Sequence, residues 1–234
     1  MPALADAGYR VVTYDRRGFG RSDKPKHGYG YDTLADDLSG VITELDLHDV
    51  TLVGFSMGGG EVARYISRHG EGSVHSAVFA AAVTPYMAQT PGNPDGPLSA
   101  KQAAQMTKDL TADRDAFFDD FTTQFFTANG ELQVTEEQRQ DAIRQCQESS
   151  QVAALECMTA FGTTDFRDDL PKVSVPTLVL HGTGDGTVPF EGSGKRTHET
   201  ITQSELVVLD GAPHGCNVSH AAQFNAALID FLGK

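Results

Sequence analysis

Residues 51–60 read Thr51-Leu52-Val53-Gly54-Phe55-Ser56-Met57-Gly58-Gly59-Gly60. The apolar, β-branched approach (Val50, Leu52, Val53) predicts a short strand, and Glu61 to His69 can continue as a helix that Gly70 stops. Gly54-Phe55-Ser56-Met57-Gly58 fits G-x-S-x-G, so Ser56 is expected on a strand-to-helix turn that lifts its hydroxyl clear of the backbone. Such a turn strains the serine backbone and crowds neighbouring elements, which is why glycines flank it. The pentapeptide also arises by chance in a chain with 24 glycines, so its strand and helix context carries the specificity. Ser56 is the candidate nucleophile.

On either side of this stretch, strands alternate with helices. Arg10 to Tyr14 reads as a strand running into the loop Asp15-Arg16-Arg17-Gly18-Phe19-Gly20-Arg21-Ser22-Asp23. Its Gly18-Phe19-Gly20 lacks the third glycine and following helix of a dinucleotide site, so a turn held by Arg and Asp side chains is preferred. Asp32 can cap a helix with Leu34, Leu38, Val41 and Leu45 at helical spacing, and Val74 to Ala82 is a buried strand. Pro176 to His181 and Leu206 to Leu209 are further strands, with a short crossover over Val188 to Thr200. Ser219 to Leu232 closes the chain as a helix with Phe224, Leu228 and Phe231 on one face, and Met1 to Gly8 reads as the tail of another. Alternation of this kind implies a mostly parallel sheet covered by helices on both faces.

Between Pro85 and Asp165 the rhythm changes. Pro91, Gly92, Pro94, Gly96 and Pro97 mark a loop, and helical patterns without a convincing strand follow, among them a capping box at Thr135-Glu136-Glu137-Gln138. The expectation is one domain over 1–234, with core 1–84 and 166–234 and a helical cap over about 85–165 above the strands' carboxyl ends, where ligands bind in such folds. Phe117, Phe121 and Phe125 recur every fourth residue there, and packing of the cap is preferred over lining a pocket.

Composition narrows the function. The 234 residues can bury a full core; 18 basic against 32 acidic residues give a net charge of −14, which repels phosphate backbones and argues against nucleic acid. Three cysteines (Cys146, Cys157, Cys216) have no metal-ligand spacing and an odd count, pointing to reduced thiols and a cytoplasmic location. No run of eighteen apolar residues predicts a membrane span.

A serine hydroxyl needs a base to take its proton, and the base needs an acid to fix its tautomer. Of eight histidines, His48, His69 and His75 belong at strand starts or helix exits, and His181 is held within a strand end. His214, in Asp210-Gly211-Ala212-Pro213-His214-Gly215 after the last strand, is the best base. Asp185, in the loop after the preceding strand, is the best acid, ahead of Asp210 and Asp165. Ser56, Asp185 and His214 then carry acyl transfer, the backbone N–H of Met57 stabilises the oxyanion, and no metal or organic cofactor is required. Phe55 and Val188 are expected to border a small apolar acyl site, with Met57 beside them.

Tyr14 to Asp23, Val53 to Gly60, Thr164-Asp165-Phe166-Arg167 and Ala212-Pro213-His214-Gly215 together resemble the cofactor-free, non-heme chloroperoxidase and aryl esterase branch of the α/β-hydrolases, along the whole chain. That resemblance implies an α/β-hydrolase fold and the triad Ser56, Asp185, His214. It also implies hydrolysis of small esters through an acyl-enzyme, with hydrogen peroxide able to intercept the acyl group as a perhydrolase substrate. The departure lies at the front: family members begin with three further strands and a His-Gly loop that supplies a second oxyanion donor, and Met1 aligns in the helix after them. The expectation is a sheet lacking those N-terminal strands, with a start assigned at an internal methionine and an open strand edge that favours a homo-oligomer. Alternative readings are a lactonase with the same triad, acyl-homoserine lactones included, or an impaired hydrolase fragment that only binds ligands. Dehalogenase and epoxide hydrolase chemistry are disfavoured, because those relatives carry aspartate where Ser56 stands.

Overall fold

The computed structural model describes residues 2–234. Met1, the first residue of the expected helix tail, lies outside the described residues; from Pro2 onward that tail is α1 (Pro2–Asp6). The sheet has four strands, β1 (Val50–Phe55), β2 (Val74–Ala80), β5 (Thr177–Gly182) and β6 (Glu205–Leu209), in the order β1-β2-β5-β6. All pairings are parallel, with Leu52 opposite Ala77, Phe79 opposite Val179 and Leu180 opposite Val207. Parallel neighbours need crossovers, and helices supply them on both faces.

On one face α3 (Met57–His69) and α8 (Gly194–Thr200) cover the sheet, α2 (Tyr31–Glu44) packs beside α3, and Leu34, Ile42, Val62, Ile66 and Ile201 share one core with Phe79 of β2. On the other, α1 and α10 (Ala221–Leu232) pack Leu4, Phe224, Leu228 and Phe231 against Val78, Leu178 and Leu180. The two central strands, β2 and β5, are the most buried, as expected of strands sandwiched on both faces.

Two expectations at the front of the chain need correction. Arg10 to Tyr14 forms no ladder, because among the described residues no strand pairs beside it; Val12 and Tyr14 stay 39% and 41% exposed. The next helix starts at Tyr31 with Gly30 at its N-cap and no side-chain cap, so Asp32 lies in the first turn and instead bonds Arg64 and Arg68. Its buried stripe is Leu34, Ala35 and Ile42, while Leu45 is exposed. Val41 and Leu45 line a groove of about 750 Å³ shared with Val12 and Tyr14. β1 is an edge strand of this sheet, with Val53 43% exposed.

Between β2 and β5 lie α4 (Ala100–Ala112), α5 (Arg114–Phe126), α6 (Glu136–Gln147) and α7 (Gln151–Thr163). The capping box at Thr135 and Gln138 forms, and Ser99 with Gln102 makes a second. This region also contains a small hairpin, β3 (Thr127–Ala128) with β4 (Glu131–Leu132), whose turn residues Asn129 and Gly130 have positive φ. Two-residue strands carry no readable alternation. The closing helix is preceded by a separate turn, α9 (Cys216–Ser219).

Candidate active site

β1 hands the chain to α3 through Ser56, which adopts φ 53° and ψ −119°. A non-glycine residue holds such a backbone only when its surroundings impose it. Here the Ser56 N–H donates to Ala80 O at 2.8 Å, and the Ser56 carbonyl accepts from Gly59 N and Val83 N at 3.0 and 3.2 Å. The turn is therefore tied to the end of β2. It is also tight: a Cβ at Gly54 would lie 2.5 Å from Gly58 O, so only glycine fits there.

The loops after β5 and β6 are laced to each other. Thr183 N donates to Leu209 O at 3.1 Å, Gly184 N to Ala212 O at 3.0 Å, and Gly211 N to Thr183 Oγ1 at 2.7 Å. Lacing fixes Asp185 and His214 relative to one another. Asp185 Oδ1 accepts the N–H groups of Thr187 and Val188 at 2.9 and 2.7 Å, which leaves Oδ2 for His214 Nδ1 at 2.6 Å. His214 Nε2 lies 2.9 Å from Ser56 Oγ. Since Nδ1 must donate to the carboxylate, Nε2 presents its lone pair to the serine hydroxyl.

Burial pushes the Asp185 carboxyl upward, but the charge of His214 and hydrogen bonds from His181 and His214 outweigh it and hold it at about 2. Asp185 is thus a buried anion satisfied on both oxygens. Met57 opens α3, so its N–H has no acceptor within the helix and sits at the helix's positive end. Cys216, two residues beyond His214, is fully buried, and burial pushes its thiol up to about 12, which removes it as a competing nucleophile.

Aromatic rings frame His214. Phe55 lies 5.3 Å and Phe125 4.8 Å from the His214 ring, the latter edge-to-face. Phe121 and Phe117 extend the row, at 5.6 Å from Phe125 to Phe121 and 6.1 Å from Phe121 to Phe117, all three half-buried. Helical spacing therefore puts one edge of the expected packing stripe against the site. Val188 takes part through its backbone, while its side chain is fully buried in the main core. The residues set aside at the sequence level lie elsewhere: Asp165 binds Arg167, Asp210 accepts from Thr183 Oγ1, and His48, His69 and His75 bond surface aspartates. Asp15 holds the Asp15–Asp23 turn by accepting from Arg21 N at 3.0 Å.

Sequence reasoning missed one contact of Asp185. His181, which the sequence assigns to the interior of a strand, turns Nε2 toward Asp185 Oδ2 at 3.1 Å. His and Asp four apart at a strand end gave no signal, because that contact depends on how the chain folds back after Gly182.

Comparison with known proteins places this arrangement in a known fold: the family model described as alpha/beta hydrolase fold matches residues 1–221. The chain belongs to the α/β hydrolase fold family. This hydrolase is 41% identical over 237 residues to a non-heme chloroperoxidase of Kitasatospora aureofaciens, covering 100% of this chain and 86% of that one. A bifunctional esterase/perhydrolase of Acinetobacter calcoaceticus is 37% identical over 227 residues, 96% of this chain and 82% of that protein. Among solved structures, the bromoperoxidase from Bacillus anthracis superposes with a TM-score of 0.97 at 49% identity, covering 100% of this chain and 85% of that one. No helix among the described residues is long and apolar enough to cross a membrane.

Proposed function

We infer that this enzyme cleaves small carboxylic esters through an acyl-enzyme on Ser56, and that hydrogen peroxide can replace water as the acyl acceptor. The observation that carries the reading is the continuous chain Ser56 Oγ, His214, Asp185, with links of 2.9 and 2.6 Å. In the first half-reaction Ser56 Oγ bonds to the ester carbonyl carbon while His214 Nε2 takes the hydroxyl proton. The Met57 N–H stabilises the negative oxygen that develops, as a pre-aimed donor costing no reorganisation. Collapse breaks the bond to the leaving alcohol, which receives the proton from His214. In the second half-reaction His214 deprotonates water and a carboxylic acid leaves; with hydrogen peroxide the product is a peracid.

The names of the similar proteins, a non-heme chloroperoxidase and an esterase/perhydrolase, favour both acceptors. Phe55, with Phe125 and Phe121 behind it, offers an apolar surface beside the reacting atoms and suits a short acyl or aryl group. Val188 serves that site chiefly by holding Asp185. The helices of residues 85–165 act as the cap that carries those rings. The acidic surface suits a small neutral ester better than nucleic acid, and the β1 edge offers a place for self-pairing into a homo-oligomer.

A fluorophosphonate probe and p-nitrophenyl acetate test the reading together. The folded protein is expected to be labelled on Ser56, and Ser56→Ala to lose label and about 10⁵–10⁶ in kcat. Folded protein without an adduct on Ser56 overturns the hydrolase reading. Addition of acetate, hydrogen peroxide and bromide should brominate a phenolic dye through the peracid; labelled enzyme that fails to do so is an esterase only.

A further inference from the structure

The carboxylate of Asp185 is shared by two histidines. His214 Nδ1 approaches Oδ2 at 2.6 Å, and His181 Nε2 approaches the same oxygen at 3.1 Å while lying 2.8 Å from Val188 O. A carboxylate and a carbonyl only accept, so His181 Nε2 must carry a hydrogen and divide it between them. The other nitrogen, Nδ1, is buried without a partner. It packs against Gly194, where a Cβ would collide with the ring, and Phe190 lies 5.7 Å from the ring on another side. A second proton at Nδ1 would be a buried N–H with no acceptor, so the geometry selects the neutral ring with its hydrogen on Nε2.

Packing alone would not favour this side chain. An apolar residue could fill the same fully buried space without leaving a ring nitrogen unpartnered, which costs stability. What the imidazole adds is one N–H aimed at the oxygen that also serves His214. We propose that His181 is a positioning residue for catalysis: its Nε2–H holds Asp185 Oδ2 in line with His214 and draws off part of the carboxylate's charge, so that His214 releases its proton to the leaving alcohol more readily. This rests on Ser56, Asp185 and His214 acting as a triad. The other titratable group against Asp185 is the buried Cys216 thiol, which is neutral and adds no charge. His181 forms no covalent bond and exchanges no proton with substrate.

Two variants of the full chain separate this role from space-filling. His181→Leu keeps comparable bulk and removes the donor; His181→Gln presents an amide N–H close to where Nε2 stood. With p-nitrophenyl acetate, His181→Leu is expected to lower kcat about 10- to 100-fold, in the range for lost outer-layer hydrogen bonds to catalytic groups, with KM nearly unchanged. The acid limb of its kcat/KM profile should move to higher pH, because the undiluted carboxylate holds the proton on His214 more tightly. His181→Gln should restore most of kcat and return the limb. The proposal is overturned if both variants, folded and still labelled on Ser56, keep the parent kcat and limb, or if both lose kcat equally with the limb unmoved. Absence of label in the parent protein would instead reject the triad, and the proposal with it. Should His181→Leu fail to fold, the assigned ¹⁵N signals of the His181 ring in the parent at neutral pH still decide: hydrogen on its Nε2 alone supports the proposal, and hydrogen on its Nδ1 defeats it, the His214 ring with hydrogen on Nδ1 serving as the reference.

Discussion

In β5 every residue from Thr177 to Gly182 is buried, whereas α4, of comparable importance to its own region and 13 residues long, buries only Leu110. The sheet and the helices above it are held by different means. Phe79, Val179 and Leu180 lose all contact with solvent between two helical layers, so apolar burial dominates there. The inserted helices rely on polar locks: capping boxes at Ser99 and Thr135, further caps at Asp113 and Ser150, and Arg139 gripping Glu136 and Asp119. The difference teaches where precision is needed. The loops that hold Ser56, Asp185 and His214 within hydrogen-bond reach grow from the buried layer, and the inserted helices are fastened more lightly.

That contrast can be broken at three depths. The largest effect is expected from Asp185→Asn, which keeps an acceptor for Thr187 and Val188 but no longer orients the correct tautomer of His214. The expected loss is about 10⁴ in kcat, measured by steady-state kinetics, and calorimetry should show lower stability because the amide no longer accepts from His181 and His214. Next, Phe79→Ala opens a cavity beside the carboxyl end of β2 and should cost about 3–5 kcal/mol in urea unfolding. A much smaller cost would mean that the sheet is less rigid than its burial implies. The smallest effect falls in the inserted helices: Thr135→Ala removes one half of a capping box and should cost about 1 kcal/mol with kcat unchanged. A change in kcat there would show that the cap of α6 is coupled to the chemistry.

Much of this was legible before any coordinates. Ser56 announces itself through local rules, since glycine placement and strand-to-helix patterning act over ten residues. His214 and Asp185 could be chosen because a parallel sheet brings the loops after its strands to one end, whatever their distance in sequence. What escaped depends on contacts between elements. Arg10 to Tyr14 has the composition of a strand, yet a strand exists only where a neighbour accepts its hydrogen bonds. Gly30 rather than Asp32 begins α2 because Asp32 is drawn to Arg64 and Arg68, a pairing between helices. The spacing of Phe117, Phe121 and Phe125 predicts one helical stripe, but only the docking of α5 shows which of the three meets His214. The sequence holds His181 in the sheet, and it is held there; the contact with Asp185 arises from the turn that follows.

The last turn of α5 touches the base loop in one more way: Gly215 N donates to Phe125 O at 2.8 Å, and Gln124 Nε2 to Gly186 O at 3.0 Å. The ring nearest the imidazole and the peptide beside that imidazole are therefore one mechanical unit. Shifting this helix would tug on the loops of His214 and Asp185 together, so on the proposed function the apolar surface and the speed of turnover are set by the same screw. Side-chain exchanges at Phe121 or Phe117, one or two turns further from that joint, leave both hydrogen bonds in place and are the gentler way to reshape that surface.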